Sequence, residues 1–115
     1  MKFFAKFVAL SAGIFALPVF AQQCENPAVV DIPDGATATL DAMLEAQTGV
    51  RTYLEDMEVY LACLNEEIEA QDDDTPEEIS SLMIDRYNNG VTEMETVAET
   101  FNDQRVAYQE ANASE

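Results

Sequence analysis

The sequence predicts an all-α fold: a long antiparallel two-helix hairpin, coiled-coil-like, with an extended N-terminal arm tied back by a disulfide. Three observations predict it. Apolar residues recur in alternating steps of three and four through two long stretches, the seam of a helix packed along its length. A short acidic segment with a helix-start signature separates the stretches. The only two cysteines, Cys24 and Cys63, fall in the arm and in the latter part of the first stretch.

Taken in order, residues 1–21 read as a secretory signal peptide. Lys2 and Lys6 precede an apolar run from Phe7 to Leu17, Pro18 ends the run, and Val19-Phe20-Ala21 supplies a small-x-small cleavage site. The run is too short for a membrane span. The mature chain is expected to start at Gln22, in the periplasm or, as the second option, released outside. Ala21-Gln22-Gln23 before Cys24 lacks the pattern of a lipoprotein, so no lipid anchor is expected.

Residues 22–38 carry the helix breakers Pro27, Pro33 and Gly35 and read as an extended arm, with Ile32-Pro33-Asp34-Gly35 as a turn. Its apolar residues Val29, Val30 and Ile32 are expected to pack onto the first helix around Tyr53, Tyr60 and Cys63. Residues 39–115 form the hairpin. Thr39 is placed as an N-cap and Asp41 sits in the first turn, where a negative charge suits the helix dipole. The first helix is expected over about 40–70, with a seam through Leu40, Met43, Val50, Leu54, Met57, Leu61, Leu64 and Ile68. Leu44, Tyr53, Val59 and Tyr60 widen that stripe beyond what one partner helix covers. The surplus calls for a second covering element, either the arm or another copy of the chain in a four-helix bundle.

Gln71-Asp72-Asp73-Asp74 interrupts the pattern, and Thr75-Pro76-Glu77-Glu78 restarts it as a capping box with proline in the first turn. The second helix is expected over about 76–110, with a seam through Ile79, Met83, Tyr87, Val91, Met94, Val97, Phe101 and Tyr108. Asn88-Asn89-Gly90 is a weak point, but the seam keeps its phase across Gly90, which favours one continuous helix. The polar tail from Gln109 to Glu115 is expected to fray.

Two cysteines in an exported chain read as a disulfide. Cys63 lies roughly 36 Å along the first helix, and an extended arm from Thr39 back to Cys24 reaches up to about 50 Å. An intramolecular Cys24–Cys63 bridge is therefore within reach, an intermolecular bridge being the alternative. Neither a Cys-x-x-Cys pair nor a cluster of further ligands accompanies the cysteines.

Charge narrows the function. The formal net charge is −18, and removal of the leader leaves only Arg51, Arg86 and Arg105 against all 23 acidic residues. Such a chain repels nucleic acid and anionic lipid and favours divalent cations or a basic protein or peptide, although the charge can also serve solubility alone. Histidine is absent, which removes the usual general base, nucleophile activator and zinc ligand. No catalytic or cofactor-binding residues are assigned, and an enzyme is not expected. Eight acids fall between Glu66 and Glu78 with no lysine or arginine among them. Within that tip, Asp72, Asp73, Asp74, Glu77 and Glu78 are a weak candidate cation cluster, since the glycine and spacing of an EF-hand loop are missing.

Five short motifs occur in a particular order: Cys24-Glu25-Asn26-Pro27, Ile32-Pro33-Asp34-Gly35, Ala38-Thr39-x-Asp41-x-Met43, Tyr60-Leu61-x-Cys63-Leu64 and Phe101-Asn102-x-Gln104. In that order they resemble an uncharacterised family of small exported helical proteins of Gram-negative bacteria. The resemblance implies a periplasmic helical protein with the same bridge, and it carries no activity or catalytic residues across. Two functions compete. One is a binding or structural module presenting an acidic surface to a basic partner or cations, alone or as a homodimer. The other is a periplasmic acid-responsive chaperone, in which neutralised carboxylates would let Met43, Met57, Met83, Met94 and the aromatics become exposed.

Overall fold

The computed structural model describes residues 24–113, and the expected signal peptide over residues 1–21 lies outside them. Two helices make up the described chain, α1 (Leu40–Glu69) and α2 (Glu77–Asn112), packed against each other as a hairpin. No helix among the described residues is long and apolar enough to cross a membrane. The arm, residues 24–38, runs without regular structure back along α1, and the Cys24–Cys63 disulfide ties it there with a Cα–Cα distance of 5.7 Å.

Thr39 caps α1 as its position suggests, its hydroxyl accepting from the Ala42 backbone N–H at 3.1 Å. The start of α2 departs from the capping box. Pro76, with ψ of 136°, stands outside the helix as its cap and offers no side-chain bond. The Thr75 hydroxyl turns to the interhelical segment, donating to the Asp72 carboxylate at 3.3 Å, and the same carboxylate oxygen accepts from the Asp74 N–H at 3.1 Å. Asp72 thus closes the interhelical turn. Gln71 joins the two helices at this tip: its amide oxygen accepts from the Ser80 hydroxyl at 2.6 Å, and its amide nitrogen lies 2.6 Å from the Met83 sulfur.

At the other end, α2 runs further than the sequence pattern suggests. The helix takes in Gln109–Asn112, expected to fray, and the Asn112 side chain donates to the Tyr108 carbonyl at 2.7 Å. Gly90 lies within this continuous helix and is buried. A Cβ there would stand 2.9 Å from Leu61 Cδ2 and 3.4 Å from Met57 Cε, so the glycine lets the helices approach closely and breaks nothing.

The buried line of α1 is Met43, Ala46, Val50, Tyr53, Met57, Tyr60 and Leu64, again in alternating steps of three and four. This line is rotated from the expected seam. Tyr53 and Tyr60 are in the core, whereas Leu54 and Leu61 are half-buried beside it and Leu40 is exposed. The arm is the reason. Val30 and Ile32 pack against the core from the side opposite Leu54 and Leu61, so the deepest position lies between arm and α2. Val29, expected to join them, points outward at 80 % exposure, because neighbouring residues of an extended chain face opposite ways. On α2 only Gly90 and Val97 are buried; Ile79, expected in the seam, is exposed near the tip.

The arm's second anchor is the turn at Asp34. Its carbonyl accepts from the Thr37 and Ala38 N–H groups at 3.2 and 2.9 Å, and its carboxylate accepts from the Ala36 N–H at 3.0 Å. The Gly35 N–H donates to the Gln104 side-chain oxygen at 2.8 Å, and a Cβ on Gly35 would collide with the Gln104 carbonyl oxygen. Gly35 is therefore required by its seat on α2, since its φ is not positive. We expect Gly35→Ala to unseat the turn and destabilise the fold by about 1–3 kcal/mol, as overpacking against backbone does. Urea unfolding of Gly35→Ala beside Gln104→Ala checks this. The loss at Gln104 should be the smaller, about 1 kcal/mol for one hydrogen bond, and equal losses would mean the close approach is not what matters.

Candidate functional site

Three places on the molecule concentrate chemistry-bearing side chains. The first is the hairpin tip. α1 ends with Glu66, Glu67 and Glu69 and no basic residue in its last turn, where the helix dipole is already negative. Asp72, Asp73, Asp74, Glu77 and Glu78 follow, all exposed. Their carboxylates do not converge as a cage. Asp72 is committed to its own turn, and among the described residues the ligand atoms that come together belong elsewhere. The tip is a region of strong negative potential without a defined coordination geometry.

The second place is the bridge. Cys24 is delivered by the arm and Cys63 by α1, and beside them runs an open groove of about 550 Å³ lined by Glu25, Asn26, Asp56 and Tyr60 among others. Glu67, one helical turn beyond Cys63, brings a carboxylate oxygen to within 4.8 Å of both sulfurs. All three residues are half-buried. Sequence reading passed over Glu67 as one of many acids. The available signal was its i, i+4 spacing from Cys63, which places both side chains on one face of α1.

The third is Tyr53, only 2 % exposed, whose hydroxyl has no hydrogen-bond partner of full geometry. Burial pushes its pKa up to about 12, and the nearby Glu93 carboxylate adds to this by favouring the hydroxyl that keeps its proton. A tyrosine whose folded pKa exceeds its ordinary value of 10.0 contributes stability that is fully present below pH 10 and lost as pH rises toward about 12. We expect about 2–3 kcal/mol of unfolding free energy to disappear across that window, at 1.36 kcal/mol per unit. Tyr53→Phe should remove this part of the pH dependence. Urea titrations on either side of the window read it out, and identical profiles for both proteins would exclude Tyr53 as the source.

No family model, curated protein or solved structure matches the chain. The functional reading therefore rests on the residues and their placement. The chain has no histidine, and Cys24 and Cys63 are bridged to each other. Together the described residues form a disulfide-strapped helical hairpin with an acidic surface. Four of the five sequence motifs also acquire a spatial meaning. Ile32-Pro33-Asp34-Gly35 meets Phe101-Asn102-x-Gln104 through the Gly35–Gln104 bond, and Cys24-Glu25-Asn26-Pro27 meets Tyr60-Leu61-x-Cys63-Leu64 through the disulfide.

Proposed function

We propose that the protein is an exported binding or structural module, periplasmic or else released outside, that presents an acidic helical surface to a basic protein or peptide. The observation that carries this reading is the disposition of charge: every described acidic residue except Glu67 and Glu93 is exposed, against three arginines. Arg105 donates to Asn102 at 2.9 Å rather than to a carboxylate. A disulfide-strapped hairpin adds rigidity, so its carboxylates meet a partner without a large ordering cost. The strap suits an oxidising compartment, the periplasm or the medium outside, in keeping with the leader-like residues 1–21. Divalent cations would gather diffusely at the same tip.

A labelled lysine- and arginine-rich peptide titrated with the oxidised protein tests the reading. Binding should weaken steeply with salt and weaken again when Asp72, Asp73 and Asp74 are changed to Asn. The absence of salt-dependent binding would sink it. The second reading, an acid-responsive chaperone, draws on Met57, buried in the core with Tyr53 and Tyr60, and on the buried Met43. It requires suppression of client aggregation in mild acid and none at neutral pH, which a static scaffold would not show.

A further inference from the structure

We propose that Cys24, Cys63 and Glu67 form, when the disulfide is reduced, a binding site for a borderline-soft divalent metal ion of the zinc type. The bridge and the metal are then alternative straps made from the same two sulfurs. The inference stands apart from the acidic-surface function, because it depends on sulfur ligation at the arm and not on the exposed charge.

The geometry points there directly. One ligand atom from each of the three side chains lies within 4.8 Å of the others. A tetrahedral zinc ion with Zn–S about 2.3 Å and Zn–O about 2.1 Å needs its ligands roughly 3.5–3.8 Å apart, so small rotamer changes suffice. The Cα atoms of the cysteines, 5.7 Å apart, need to move little as the sulfurs separate. Glu67 and Cys63 share a face of α1 at i, i+4 spacing, which holds two of the three ligands on a rigid element. The open groove beside Cys24, Asp56 and Tyr60 supplies an entry path and room for a water as fourth ligand. Thiolate ligation selects a zinc-type ion over calcium and magnesium, which prefer oxygen alone.

The chemistry requires a dithiol reductant, protein or small molecule. Its thiolate attacks one cysteine sulfur, the Cys24–Cys63 bond breaks, and a mixed disulfide forms. Its second thiol then displaces the other sulfur. The chain gains two electrons and two protons as two thiols, and the reductant leaves as a disulfide. Metal binding releases those two protons and gathers two thiolates and one carboxylate on the ion. The arm is thereby held at the same point on α1 as before.

Cobalt(II) titrated into the full chain, reduced with a phosphine that does not ligate strongly, reads the site by its thiolate charge-transfer band and the visible bands of a tetrahedral ion. We expect one equivalent to bind with both signals, zinc to displace it, and a large excess of calcium to leave it in place. Glu67→Gln should weaken binding tenfold or more, and Cys63→Ser should abolish the thiolate band. The oxidised protein should show no such band. Reduction should lower the melting temperature, and zinc should return it toward the oxidised value. A reduced protein without the thiolate band would overturn the proposal, as would cobalt affinity unchanged in Glu67→Gln or equal in the oxidised chain.

Discussion

Loss of the Cys24–Cys63 bridge should lower the unfolding free energy by about 4 kcal/mol. The bridge closes a loop of 39 residues, and the chain-entropy account assigns a loop of that size about 4 kcal/mol through restriction of the unfolded ensemble. Without it, the arm keeps its apolar contacts through Val30 and Ile32 and the hydrogen bond from Gly35 to Gln104. Those are few for a segment that must stay extended against its own conformational entropy. The comparison to make is denaturant unfolding of the oxidised protein against the Cys24→Ser, Cys63→Ser double variant in metal-free buffer. Far-ultraviolet dichroism should show the hairpin largely retained at low temperature, since the arm carries no helix. A stability difference under about 1 kcal/mol would mean that the loop is already restricted in the unfolded chain or that the arm docks well unaided.

The second large effect lies in the core. Leu64 and Met57 are the two large side chains with no exposure at all, and they sit on the shared face of α1 that both α2 and the arm cover. Leu64→Ala should cost about 3–5 kcal/mol, the transfer term plus a cavity that two flanking helical turns cannot close. Met57→Ala should cost about 2–4 kcal/mol, the flexible neighbours relaxing more readily. Val59→Ala, at 71 % exposure on the same helix, serves as the reference and should change stability by less than about 0.5 kcal/mol. In a hairpin this slender a loss of several kcal/mol is a large part of the total. Comparable midpoints for Leu64→Ala and Val59→Ala would contradict the placement of the core.

Much of this architecture follows from local patterns. The alternation of threes and fours determines that Met43, Val50, Met57 and Leu64 lie on one face, and all four are buried. The uninterrupted phase from Tyr87 to Met94 determines that Gly90 stays within α2. Reach along an extended arm makes the bridge available, and the bridge is formed. These are properties of chain geometry, the 1.5 Å rise and the 3.5-residue seam, which hold before any tertiary contact exists.

What only the tertiary structure decided concerns competition between partners. A seam pattern leaves the choice between Leu54 with Leu61 and Tyr53 with Tyr60 open, because both pairs adjoin the same central line. The arm settled it by covering the tyrosine side. Thr75 carries the right sequence to cap α2, but Pro76 stands as the cap and the Thr75 hydroxyl donates to Asp72 in the turn; a sequence motif does not fix which of a hydroxyl's bonds is made. The bringing together of Glu67 with both sulfurs, and of Gly35 with Gln104, joins residues from distant parts of the chain. Periodicity assigns a residue to a face of its own helix. Which neighbour arrives at that face, and how closely, depends on the packing of the whole chain.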